Sequence, residues 1–223
     1  MTGWYLIVIQ PQHSTRSGHA PFSDRSTAVV LLAAGAGTRF RDQGHSAGAT
    51  ATHKLLAMLP ASAGRPAETV VARAIASALG AQVGSVIVVT GAVALSLPAA
   101  VIERPNPRWE QGQMTSVRAG IDEAAARGHR RVVVGLGDQP GIEPAAWRAV
   151  AHHDGPIAVA TYAGRRGNPV SLDEEVWNLL PVGGDEGARL LMRSRPDLVR
   201  EVPCTGSPAD IDTVEDLRQW QSS

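Results

Sequence analysis

Apolar positions fall along this chain in two rhythms. Short unbroken apolar runs at 28–32, 85–89 and 131–136 have the pattern of strands buried on both faces. Between them, apolar residues recur at helical spacing. Val70, Val71, Ala74, Ile75, Ala78 and Leu79 predict a helix over 65–79. Met114, Val117, Ile121 and Ala124 predict another over 112–127, with Gly128 at its end. A shorter strand is expected at 101–103, and a short helix with proline in its first turn at 144–152. Two strands at 157–162 and 169–172 flank the turn Gly164-Arg165-Arg166-Gly167-Asn168. Helical pieces at 174–180 and 186–194, a last strand at 198–203, and a terminal helix opened at Asp212 with a capping-box pair complete the pattern. Strands alternating with helices at short intervals predict an α/β fold of three layers around a mostly parallel sheet. The polar stretch 41–52 is expected as a loop on the ligand side.

Residues 1–27 hold Pro11, Pro21 and no sustained periodicity, so they are expected to form an appended, poorly ordered arm ahead of one domain over 28–223. Composition narrows the partners. Lys plus Arg and Asp plus Glu balance at 21 each, so no global field recruits nucleic acid or an anionic membrane, and any basic site is local. The single cysteine, Cys204, rules out an internal disulfide and a multi-cysteine zinc site and fits a cytoplasmic protein. No apolar run reaches the ~20 residues of a membrane span.

The first strand ends abruptly in the loop Leu32-Ala33-Ala34-Gly35-Ala36-Gly37-Thr38-Arg39. Such a loop has little side chain to keep a ligand off its backbone, and its N–H groups can face phosphate oxygens. Arg39 and Lys54 add the positive charge that a triphosphate needs. Two familiar phosphate motifs fail by letter. A P-loop needs Gly-Lys-Ser/Thr where Gly37-Thr38-Arg39 stands, and a dinucleotide fingerprint needs glycine where Phe40 stands. A tight strand-to-helix turn without a ligand accounts for the loop equally well.

Ligands of open parallel sheets sit beyond the carboxyl ends of the strands. Here those ends carry 35–39, Thr90-Gly91, Gly137-Asp138-Gln139 and Asp210-Ile211-Asp212. Asp138 and Asp212 therefore converge on one rim, as Mg²⁺ with phosphate oxygens requires. A turn-forming aspartate before Pro140 accounts for Asp138 without a metal, and a helix N-cap does the same for Asp212. No Ser-His-Asp or Cys-His arrangement is evident.

Seven segments in register, LLAAGAGTRF, HKLL, GQMTSVRAG, LGDQPGI, GNPVSL, GDEGARLL and DIDTVEDL, resemble the MobA-like nucleotidyltransferases, most closely the molybdenum cofactor cytidylyltransferase branch. The resemblance covers nearly everything from Ala28 onward and implies a Rossmann-like nucleotidyltransferase fold. It implies transfer of a nucleoside monophosphate from CTP (or GTP) to a phosphorylated acceptor such as molybdopterin, with Mg²⁺ and release of pyrophosphate. A molybdoenzyme or its chaperone would receive the product. Carried over by position, 32–38 with Thr90 would line the nucleotide, and Gly35, Ala36 and Gly37 would bind its phosphates. Arg39 would face the β- and γ-phosphates and Lys54 the α-phosphate. Asp138 and Asp212 would hold the metal. Gly112, Thr115 and Ser116 would line base and ribose, and Asn168 and Asp185 would lie toward the acceptor. Phe40 departs from the glycine often found there. A GTP-using or other-acceptor transferase, and a non-catalytic accessory protein that handles cofactor, remain as alternative readings.

Overall fold

A computed structural model describes residues 26–47, 53–61 and 64–222. The expected arm therefore lies, up to residue 25, outside the described residues. In chain order, β1 (Thr27–Ala33) leads into α1 (Thr38–Ala47), then β2 (Met58–Leu59), β3 (Glu68–Thr69) and α2 (Val70–Gly80). The middle of the chain forms β4 (Ser85–Thr90), β5 (Ile102–Pro105), α3 (Gln113–Ala126), β6 (Arg131–Leu136) and α4 (Pro144–Ala151). There follow β7 (Ile157–Tyr162), β8 (Arg165–Asp173), α5 (Glu174–Trp177), α6 (Arg189–Ser194), β9 (Val199–Pro203) and α7 (Val214–Gln221).

Seven strands join in one sheet of order β5-β4-β1-β6-β8-β7-β9. β1 is parallel to β4 on one side and β6 on the other, and β4 to β5, while β8 runs antiparallel to both β6 and β7. Register aligns Ala33 with Thr90 and Leu32 with Leu136. The carboxyl ends of β1, β4 and β6 thus finish side by side. The chain leaves β1 toward β4 and β5, then returns to its other side with β6. The crevice between β1 and β6 is therefore the switch point where open α/β sheets take ligands.

Alternation along β1 divides the core. Val30 and Leu32 face α3, where Met114, Val117 and Ile121 are buried, whereas Val29 and Leu31 face α2 and α4 with Ile75 and Trp147. α3 approaches closely because Gly120 has no side chain; a Cβ there would stand 2.3 Å from Val30 Cγ1. Phe40, Ala57, Leu59, Val70, Ile211 and Val214 form a third, smaller cluster that joins the start of α1 to the C-terminal segment. Among the described residues no helix is long and apolar enough to cross a membrane.

Several elements differ from expectation. The stretch expected as loop begins as helix α1, and 48–52 lie outside the described residues. Phe40, fully buried, fixes that first turn to the third cluster. The helix expected from 65 starts at Val70, since Thr69 caps it by accepting the Ala72 N–H at 3.3 Å. The wide turn at 164–168 shrinks to Ala163-Gly164, both at positive φ (49° and 77°), which matches the twist of a tight hairpin. Arg165 to Asn168 consequently belong to β8.

Candidate active site

The loop after β1 is built so that its backbone faces outward. Gly37 sits at φ +58°, and a Cβ there would lie 3.1 Å from His53 Nε2, so both conformation and space select glycine. A Cβ at Gly35 would meet nothing within 4 Å. His53 supports the loop from beneath: Nδ1 accepts the Leu55 N–H at 3.2 Å, which leaves the proton on Nε2 to donate to the Gly35 carbonyl at 3.0 Å. Nothing in the sequence reading gave His53 this place; a histidine two positions ahead of the amide it caps was the available signal.

The charges converge beside that loop. Lys54 Nζ donates to Asp138 Oδ2 and, at 2.5 Å, to Asp212 Oδ1, while Arg39 Nη1 reaches Asp212 Oδ2 at 2.8 Å. Lys54 and Asp138 are mostly buried and Arg39 is exposed. Burial works against the Lys54 ammonium, but Asp138 and then Asp212 outweigh it and lift its pKa above the ordinary lysine value. Asp138 Oδ1 is buried and has no hydrogen-bond partner among the described residues. Such an atom is costly unless something fills its coordination. A divalent cation fits this set, since Mg²⁺ takes one or two carboxylates and completes its shell with phosphate oxygens and water. Among the described residues no group of three or more His, Cys, Asp or Glu could cage a metal unaided.

Of the two local explanations for the aspartates, the cap at Asp212 is corrected and the turn at Asp138 stands. Thr213, not Asp212, is the N-cap of α7, in a capping box with Asp216. Asp212 instead gives both carboxylate oxygens to Lys54 and Arg39. Asp138 stands in a turn, where its carbonyl accepts the Ile211 N–H at 2.9 Å, but its carboxylate turns to Lys54. That backbone bond and the burial of Ile211 beside Phe40 bring Asp212 across the cleft.

A cavity of about 350 Å³ opens between the glycine loop and the start of α3. Leu32 to Ala36, Lys54, Gly112, Ser116 and Asp138 line it, together with Trp109, which the sequence reading did not single out. Gly37, Thr38 and Arg39 line an adjoining cleft of about 170 Å³ with Lys54 and Asp212. Two expected residues face elsewhere. The Thr90 hydroxyl donates to Glu103 at 2.8 Å, and the Thr115 hydroxyl is engaged by Asn106 and the carbonyls of Arg108 and Gly112.

A second cavity, about 420 Å³, adjoins the first along Leu32, Gln113 and Leu136. Its floor is apolar, with Val134, Val159, Val170 and Met192, and Arg166, Arg189 and Arg193 stand at its edge. Asn168 lines it and donates to Gln139 Oε1 at 3.0 Å; Gln139 donates in turn to Asp210 Oδ1 at 2.5 Å. Burial, then the Asp138 charge, raises the Asp210 pKa. Asp185 stands on the other side of this boundary. It lines the glycine-loop cavity, apart from Asn168, and accepts the Gln113 N–H at 3.2 Å at the start of α3.

Known proteins carry the same arrangement of elements. A nucleotidyl transferase from Methanothermobacter superposes with a TM-score of 0.72 at 23% identity, over 88% of this chain and 96% of its own. Rv0371c from Mycobacterium tuberculosis gives 0.70 at 27% identity, covering 89% and 98%, and its manganese complex gives 0.66 at 26%, covering 89% and 99%. In sequence, a nicotine blue oxidoreductase from Paenarthrobacter nicotinovorans is 33% identical over 150 residues, 59% of this chain and 72% of that protein. The MobA-like NTP transferase domain matches residues 29–199, and the chain belongs to that family.

Proposed function

We propose that this nucleotidyltransferase moves CMP from CTP to a phosphorylated acceptor of the molybdopterin type in the cytoplasm, with Mg²⁺, releasing pyrophosphate. The observation that carries the reading is the Lys54 ammonium held between Asp138 and Asp212 beside the glycine loop, in a cavity that adjoins a second one. In this reading CTP lies in the cavity of the glycine loop and the acceptor in the cavity lined by Asn168. An acceptor phosphate oxygen attacks the α-phosphorus, and the bond to the pyrophosphate oxygen breaks on the opposite side.

The chain's own residues supply position and charge. Loop amides and Arg39 hold the β- and γ-phosphates as the leaving group, and Lys54 stabilises the charge that grows on the α-phosphate. Asp138 and Asp212 would hold the Mg²⁺, which neutralises the phosphates and orients them. Lys54, shared between both carboxylates and lining the same cavity as the glycine loop, would reach the α-phosphate of a triphosphate bound there. Gln113 and Trp109 wall the nucleoside side. The product would pass to a molybdoenzyme or its chaperone. The manganese in the Rv0371c complex belongs to that protein and supports a divalent metal here by similarity. The oxidoreductase name belongs to the Paenarthrobacter protein; a dinucleotide fingerprint would need glycine at the position filled here by fully buried Phe40.

Pyrophosphate release is the test, measured across the four NTPs with and without molybdopterin and with and without Mg²⁺. Release with CTP that requires both molybdopterin and Mg²⁺ is expected. Release with GTP, or only with another phosphorylated acceptor, changes the substrate. Release with none of the four under any condition leaves the accessory role.

A further inference from the structure

His53 touches no cavity that the proposed reaction uses, yet it is almost fully buried against the loop on which that reaction depends. Its two nitrogens are committed in opposite directions. Nδ1 accepts the Leu55 N–H and so closes the turn Lys54–Leu56, the turn that begins with the lysine shared by the two aspartates. Nε2–H donates to the Gly35 carbonyl, and the backbone of Ala36 also faces the ring. Gly37 lies directly against the imidazole, where a Cβ would stand 3.1 Å from Nε2 on a backbone at φ +58°. One side chain therefore joins the loop that leaves β1 to the turn that carries Lys54.

The peptide geometry gives this contact a consequence. In a trans peptide the C=O and the following N–H point to opposite sides of the chain. The Gly35–Ala36 peptide is trans, so drawing the Gly35 carbonyl toward His53 turns the Ala36 N–H away from the ring. Gly35 and Ala36 both line the nucleotide-side cavity, and no hydrogen bond among the described residues uses the Ala36 or Gly37 N–H. Consecutive free amides on the inner face of a turn form an anion-binding concavity.

Resting on the nucleotidyltransferase reading above, we propose that His53 is a positioning residue for the triphosphate: its Nε2–H holds the Gly35 carbonyl inward so that the Ala36 and Gly37 amides face the phosphates in register with Lys54. Burial pushes the imidazole pKa below its usual value against the pull of the Gly35 carbonyl, and the Lys54 and Arg41 cations add to that push, so the ring is neutral and keeps its acceptor at Nδ1.

Two isosteric halves of histidine separate the contacts. His53→Asn keeps an acceptor where Nδ1 stands and removes the donor to Gly35. His53→Gln keeps a donor near the place of Nε2 and gives up the Leu55 contact. Each variant and the wild type are titrated by calorimetry with the tightest-binding of the four NTPs and with the monophosphate of the same base, in Mg²⁺ and without acceptor. The Asn variant should bind the triphosphate about tenfold more weakly, the size of one lost hydrogen bond, while its monophosphate affinity changes less than about threefold. The Gln variant should recover most of the triphosphate affinity. Asn-variant affinity within twofold of wild type, or an equal loss for both nucleotides, overturns the proposal. Should the Asn variant not fold, the Gln variant decides, and loss of its preference for triphosphate over monophosphate overturns it. A wild type that binds none of the four triphosphates removes both this inference and the proposed function; one that binds leaves only the inference at stake.

Discussion

Strand β6 has buried charge at both of its ends, and the two ends are built differently. Where the strand begins, Arg131 and Asp173 are almost completely enclosed. Arg131 Nη2 donates to Asp173 Oδ2 at 3.0 Å and Nη1 to the His153 carbonyl at 2.6 Å, while Asp173 Oδ1 accepts the Glu175 N–H and caps α5. Both carboxylate oxygens are engaged, and the pair ties β6 to β8. Just beyond the strand's other end, Asp138 gives Oδ2 to the Lys54 that it shares with Asp212, lines the glycine-loop cavity, and leaves Oδ1 without a partner among the described residues. Both sites bear the cost of desolvating charge. Only one of them has finished its hydrogen bonding within the described residues. A completed buried pair reads as architecture, and an incomplete one facing a cavity reads as capacity for a ligand.

Exchanging the isosteric amide for each aspartate should separate the two roles, and these are the largest effects expected. Asp138→Asn keeps the shape, and Lys54 retains Asp212. Pyrophosphate release should fall by about 10²–10³-fold, the scale of losing a charge-stabilising group at the reacting phosphate, while the denaturation midpoint stays near wild type. Asp173→Asn leaves the Arg131 guanidinium buried without its counter-charge and should cost about 3–5 kcal/mol of stability in urea unfolding. Its folded fraction should turn over normally. The distinction between the ends of β6 collapses if Asp138→Asn destabilises as much as Asp173→Asn, or if Asp173→Asn slows turnover while the protein is fully folded.

The contrast also explains what the sequence could and could not disclose. Parallel strands must finish on one edge of their sheet, so residues at the ends of β1 and β6 were bound to meet, and Gly35, Asp138 and Lys54 were legible as a set. The tightness of the meeting was not. Asp212 lies one residue ahead of the true cap, Thr213, and a capping signal spread over neighbouring Asp and Thr does not say which one faces away from the helix. Thr115 and Ser116 are adjacent on α3, but successive helical residues point about 100° apart. Ser116 lines the cavity while Thr115 is occupied by its own turn. Asp185 lies in a segment without apolar periodicity, so no pattern fixes its side. His53 left only its two-residue spacing to the amide it caps, and that spacing says nothing of the distant Gly35 carbonyl on the other side of its ring.

Phe40 is where the difference between the ends of β6 can be sharpened with a smaller perturbation. Its ring is fully buried with Ile211 and Val214, on either side of Asp212, and with Ala57 and Leu59 just after the turn that bears Lys54. The ring thus holds three separate chain segments at the spacing the charged corner needs. Phe40→Ala removes that packing in a cluster with few members, and should cost about 3 kcal/mol, the lower end for a buried phenylalanine because one side of the cluster can settle toward solvent. The catalytic consequence distinguishes it from Asp173→Asn. With Ile211 and Val214 loosened, Asp212 loses its fixed distance to Lys54, so Mn²⁺ affinity measured in the presence of CTP should weaken in protein that is still folded by circular dichroism. Phe40→Leu restores most of the volume and should restore most of both quantities. An alanine variant that is destabilised but binds Mn²⁺ and CTP as the wild type does would place Phe40 with Arg131 and Asp173, as a residue of the scaffold alone.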